Sequence, residues 1–195
     1  NVPPEEEHNK KLIGCVQELL KKIIPEMRDK GLMDVSLMKT LPTDKRQFES
    51  DKRAFFKPIY DTVKELFKTQ DLIPTTEKAV YAKAGDLAAA TSSDLTEIYT
   101  PYQKKWLITT ITRNNDNSDL FNYLTKELNV PVISPLQFCQ DYLSKDYLSN
   151  KDDKWFKRFY AFLADDKEAL WREKKNKKNV GIVRSKPIIR LENDE

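Results

Sequence analysis

The densest set of residues able to do chemistry is the run Arg172-Glu173-Lys174-Lys175-Asn176-Lys177-Lys178. Cationic side chains neutralise phosphates and release condensed counterions, which gives affinity for nucleic acid. Trp171 stands beside the run and offers a face on which a base can stack. With the downstream cations this defines the candidate nucleic-acid contacts: Arg172, Lys174, Lys175, Lys177, Lys178, Arg184 and Lys186. A blander reading competes with it. Asp165, Asp166, Glu168 and Glu173 share the same stretch, so the run also reads as a solvated connection between a helix and a strand. Over the chain, 34 Lys and Arg face 31 Asp and Glu, net +3, too near neutral to argue for nucleic acid. Nucleic-acid binding through 172–186 is therefore the alternative reading.

The other reactive types do not converge. Asp152-Asp153 and Asp165-Asp166 are paired in sequence. Neighbours on a helix point about 100° apart, however, and make no acid/base dyad. Asp152-Asp153 stands where a helix start wants acids, which is a capping role. Ser92, Ser93, Thr109, Thr110 and Thr112 have no evident partner base, since His8 is the single histidine and lies in a charged, exposed N-terminal turn. Cys15 and Cys139 read as reduced, largely buried thiols. Two thiols and one distant imidazole build no Cys/His metal centre. With only 4 glycines, phosphate-cradling loops are scarce. No P-loop, dinucleotide fingerprint or nucleophile elbow occurs. No catalytic, cofactor-binding or metal-binding residue is assigned, and no cofactor is expected in this segment. The expectation is not an enzyme.

These residues must be held by elements that hydrophobic periodicity makes legible. Residues 5–31 read as a helix whose apolar stripe is Leu12, Val16, Leu19, Leu20, Ile23 and Met27. Pro25 should kink it or end its regular bonding near Lys21, and Gly31 should cap it. Asp34 should cap a short helix closed by Pro42. A second helix begins near Pro58 and buries Phe56, Ile59, Tyr60, Val63, Leu66 and Phe67. Leu72-Ile73 and Ala79-Val80-Tyr81 flank a polar turn and predict a hairpin. Leu87 to Ala90 reads as one helical turn. A short helix over 92–99 and a β-rich strand over 104–112 follow. Residues 117–129 predict a helix with Leu120, Leu124 and Leu128 inward. A strand-like Val-Pro-Val-Ile comes next, then a helix capped by Ser134 with Pro135 at its first position. Trp155, Phe156, Phe159 and Tyr160 cluster on one side of a later helix. Phe55, Phe56, Tyr60 and Phe67 form a second aromatic cluster, and both should build core.

The fold class is therefore α+β, predominantly helical with a few short strands or hairpins. A helical subregion over 1–70 and a mixed α+β subregion over 71–195 are expected within one compact unit. Apolar residues are 39% of the chain, enough to fold. No window approaches the ~20 apolar residues of a membrane span. A soluble cytoplasmic protein with no membrane partner is expected. The terminal Pro187-Ile188-Ile189-Arg190-Leu191 reads as a strand, and a strand needs a neighbour for its backbone groups. With the missing initiator Met, this predicts a piece cut from a longer chain.

Two stretches resemble a known family. Leu72-Ile73-Pro74-Thr75, Tyr81-Ala82-Lys83-Ala84 and Gly85-Asp86-Leu87 are similar to a recurring block in large multidomain proteins with a Hsp90-type (sacsin-like) ATPase domain. The stretch from Trp155 to Asp194, with Ser185-Lys186-Pro187-Ile188-Ile189-Arg190-Leu191, resembles a helix and strand of the same family. In those proteins the chain continues into a second strand. The resemblance implies a segment downstream of the nucleotide-binding domain, carrying no ATP-binding residue itself. Its expected role is a structural and interaction module. Its expected partners are other domains of the same polypeptide and other proteins.

Overall fold

The computed structural model describes residues 4–48, 53–114, 116–164, 170 and 181–189. The fold is predominantly helical α+β with a few short strands. Contacts group the chain into two units, Asn1–Ala89 with Pro101–Val132, and Ala90–Thr100 with Ile133–Glu195. This differs from the expected subdivision at residue 70. Helices before that point and the hairpin after it share one hydrophobic core, including Ile24, Val63, Phe67, Leu72, Ile73 and Phe121.

In the first unit, α1 (Pro4–Asp29) continues past Pro25. A helical proline removes one N–H and crowds the preceding turn. Here buried Ile24 and half-buried Met27 keep the helix packed on either side of it. Its end is a Schellman motif, which satisfies carbonyls left open by the last turn. Gly31 N–H donates to Arg28 O at 2.8 Å and Leu32 N–H to Met27 O at 2.8 Å. Gly31 holds φ +69°. Glycine adopts that left-handed conformation without a Cβ clash. α2 (Val35–Thr40) is capped by Asp34, whose carboxylate accepts from Leu37 N–H at 2.8 Å, the usual role of an N-cap oxygen. α3 (Lys57–Thr69) has Pro58 in its first turn as expected. It buries Tyr60, Thr62, Val63, Leu66 and Phe67. Phe55 and Phe56 precede it and are exposed, which corrects their assignment to core.

α1 packs mainly against α3. The polar centre of that contact is Gln17, whose Nε2 donates to Thr62 Oγ1 at 2.8 Å and to Pro58 O at 3.2 Å. Thr62 is itself buried and donates to Pro58 O at 2.8 Å. The face of α1 turned inward therefore carries Ile13, Gln17, Leu20 and Ile24. Of the expected stripe, Leu12, Leu19 and Ile23 lie outside, at 55%, 53% and 37% exposure. Hydrophobic counting missed this because a glutamine with matched partners can occupy the inner face.

The hairpin forms as β1 (Ile73–Pro74) antiparallel to β2 (Tyr81–Ala82). Leu87 to Ala90 is not a helical turn but β3 (Leu87–Ala90), parallel to β4 (Lys105–Trp106). Alanine favours helix, yet strand preference depends on the neighbours available. Here neighbours supply the backbone partners: Leu107 N–H donates to Ala88 O at 2.8 Å and Ala89 N–H to Pro131 O at 2.8 Å. The strand order is β4-β3-β5, with β5 at Val132–Ile133. β4 is shorter than expected, since residues 109–110 already turn. α5 (Ser118–Asn122) continues as a π-helical turn, Tyr123–Glu127, and the two bury Leu120, Phe121, Tyr123 and Leu124.

In the second unit, α4 (Leu95–Ile98) precedes α6 (Pro135–Gln137), which Ser134 caps by accepting from Gln137 N–H. A second π turn, Phe138–Tyr142, extends α6. α7 (Lys145–Ser149) and α8 (Asp153–Ala164) follow. Asp152 caps α8 by accepting from Trp155 N–H at 2.7 Å. This is the capping role expected of the acidic pair. Asp165-Asp166 lies outside the described residues. The core is aromatic: Trp155 stacks on Phe159 at 5.0 Å, and Phe138 meets Tyr99 at 5.0 Å. Such ring pairs add to the stabilisation from burial itself. Tyr160 stays 40% exposed. The carbonyl of Ile98 accepts from Trp155 Nε1–H at 2.7 Å and from Tyr147 O–H at 3.1 Å, joining α4, α7 and α8.

Gln17→Ala is expected to cost about 1 to 2 kcal/mol, since it removes two hydrogen bonds and leaves Thr62 less well covered. Trp155→Phe keeps an apolar ring but deletes the indole donor, and should cost about 1 kcal/mol or more. Urea denaturation midpoints measure both. A neutral Gln17→Ala would remove the role given to that amide.

Candidate functional site

Of the candidate nucleic-acid contacts, Arg184 and Lys186 fall within the described residues, while Arg172, Lys174, Lys175, Lys177 and Lys178 lie outside them. Arg184 is exposed on a 3₁₀ turn, Ile182–Ser185, anchored by buried Val183. The ammonium of Lys186 is committed inward and donates to Gln140 O at 3.1 Å. Pro187 to Ile189 carries no regular structure in place of the expected strand, and Arg190-Leu191 lies outside the described residues. Ile188 O is taken by the Tyr160 hydroxyl at 2.7 Å.

A polar constellation that sequence reading did not find lies in the first unit. α3 presents Tyr60 and Lys64 one turn apart, and the π turn after α5 presents Tyr123 and Glu127. Glu127 Oε2 accepts from Lys64 Nζ at 2.8 Å and from Tyr60 O–H at 3.2 Å. The rings of Tyr60 and Tyr123 meet edge to face at 6.0 Å. Beside them opens a cavity of about 330 Å³ whose wall includes Asp44, Arg46, Asn122, Tyr123, Lys126 and Glu127. Nothing in the spacing of 60, 64, 123 and 127 signalled this, because two distant helical turns supply it.

The electrostatics there favour fixed protonation states. The Lys64 hydrogen bond is the main force holding Glu127 below the usual carboxylate range, against some desolvation. A hydrogen bond from the Arg46 side chain does the same for Asp44. Burial, with the Glu127 charge nearby, raises Tyr60 well above the ordinary phenol, and burial raises Tyr123 likewise. In the second unit burial pushes the Cys139 thiol up to about 12 and the Tyr147 phenol up to about 12. All these shifts lead away from neutral pH, whereas a general acid or base works best with its pKa near the working pH. Glu127 is an acceptor and Tyr60 a donor in a structural bond. Among the described residues no group of three His, Cys, Asp or Glu side chains is placed to hold a metal ion.

The remaining feature is apolar. Along the outer face of α1, Leu12, Cys15, Leu19 and Ile23 follow one another at three- and four-residue steps, all exposed. This corrects the burial expected of Cys15, while Cys139 is buried as expected. No family model matches the chain, and no curated protein or solved structure matches it. No helix among the described residues is long and apolar enough to cross a membrane.

Glu127 sets a pH signature. Its depressed pKa gives a contribution that is full above the ordinary carboxylate range and is lost as pH falls through the depressed value. Glu127→Gln should therefore cost about 1 kcal/mol near pH 7, allowing for solvent screening, and much less near about pH 3. Urea midpoints for both proteins at the two pH values test this. An equal gap at both would mean the carboxylate charge is not what Lys64 and Tyr60 recognise.

Proposed function

We propose that this chain is a non-catalytic structural and interaction module of a large protein, lying downstream of a Hsp90-type ATPase domain. The observation that carries the interaction reading is the outer face of α1. Leu12 and Leu19 each leave more than half of their surface in water, and Ile23 more than a third. Single exposed leucines need no explanation, but a continuous seam along one helix face is what a docking partner covers. The resemblance of Leu72-Ile73-Pro74-Thr75 and Ser185-Lys186-Pro187-Ile188-Ile189 to phrases of the sacsin-like proteins supports the context. The partners on this reading are other domains of the same polypeptide or other proteins.

Cys15 sits within the seam and reports whether it is covered. In the dilute chain, maleimide should label Cys15 rapidly and leave Cys139 untouched until unfolding. In the parent protein or its assembly, labelling of Cys15 should slow at least about tenfold, as expected when a site is open only a small fraction of the time. Equal labelling in both states would defeat the interaction reading.

A further inference from the structure

We infer that the outer seam of α1 docks a second copy of this chain, the two helices lying antiparallel about a two-fold axis near residue 17. This rests on the interaction-module reading and names its partner. The seam is longer than its apolar part. His8, Leu12, Cys15, Leu19, Lys22 and Glu26 follow the alternating four- and three-residue steps of a helix-pairing face, with Ile23 beside Lys22. Each of these side chains is exposed. The face is separate from the one holding Ile13, Gln17 and Ile24, so it is accessible with the α1–α3 contact intact.

The pattern is self-complementary in one direction. Turned end for end about residue 17, Cys15 meets Leu19 of the second copy and Leu12 meets the Lys22-Ile23 step. His8, at one end of the seam, meets Glu26 at the other, so an imidazole donor faces a carboxylate at both ends of the interface. A two-fold interface needs this property, since the same patch must serve on both sides. A parallel pair would put Glu26 on Glu26 and Lys22 on Lys22, which repel. The pairing of the His8 donor with Glu26, and the like-charge contacts that a parallel pair would make, argue for a second copy set antiparallel. From His8 to Glu26 the seam is about 27 Å long at the α-helical rise. One helix pair of that length lies at the small end of specific interfaces, so the dimer is weak and concentration-dependent.

Sedimentation velocity over about 1 μM to several hundred μM tests this, a range chosen for a weak interface. The full chain should pass from monomer to dimer. Leu19→Glu, at an exposed position, should raise the dissociation constant at least about tenfold with the circular dichroism spectrum unchanged. Glu26→Lys should also weaken the dimer. The double variant His8→Glu with Glu26→Lys should restore it, because an antiparallel pair again sets opposite charges face to face. A parallel pair would be weakened further by the same double variant, and that result would overturn the proposed geometry. A wild-type chain that stays monomeric at several hundred μM would overturn self-docking itself. If Cys15 were nonetheless protected in the parent protein, the module reading would stand while this inference fell.

Discussion

The rotational setting of α1 governs what this protein shows to its surroundings. The helix has apolar residues over about half of its circumference, wider than the strip that α3 covers, so hydrophobicity alone leaves its rotational setting open. Gln17 chooses it. Its amide finds both the Pro58 carbonyl and the Thr62 hydroxyl on α3, and any large rotation would break both bonds. Fully burying a leucine contributes about 1.5 to 3 kcal/mol, and these leucines would gain only part of that by turning inward. Turning them inward would give up both Gln17 bonds and uncover Ile13 and Ile24, which the present setting buries. Apolar burial and the polar contact therefore act together, and Leu12, Leu19 and Ile23 are left outside.

The same logic organises the second unit. Three helices meet at the Ile98 carbonyl, which takes donors from Trp155 and Tyr147 while their rings fill the aromatic core. Dispersion and burial supply the attraction between those elements but are nearly indifferent to sliding. The two directional bonds give them a register. In the first unit Glu127 does this for α3 and the π turn, gathering Lys64 and Tyr60 on one oxygen. Tyr123 breaks the pattern: its hydroxyl is buried with no hydrogen-bond partner among the described residues. That unmet group is a local cost of seating the ring against Tyr60 and Phe67.

These polar contacts hold in position the elements that carry them. A carboxylate held ionised by a lysine, and phenols and a thiol held protonated by burial, are locked in the states they keep across the neutral range. Such groups fix geometry well. On α1 the surface left open by internal packing is apolar at Leu12, Leu19 and Ile23, and that draws the functional proposal toward association.

The amino-acid sequence by itself determined the fold class, most helix positions and several of their ends. Asp34, Ser134 and Asp152 cap where their side chains can reach a backbone N–H three residues on, and Gly31 closes α1 with a left-handed φ that glycine adopts freely. These signals are local, so they survive without tertiary information. The tertiary structure alone decided that Leu87 to Ala90 is a strand, that Pro25 stays inside α1, and that Leu12, Cys15, Leu19 and Ile23 face outward. It also alone brought Tyr60 and Lys64 to Glu127. Each of these depends on partners distant in the chain, and hydrophobic periodicity records that a side chain is apolar, not which neighbour will cover it.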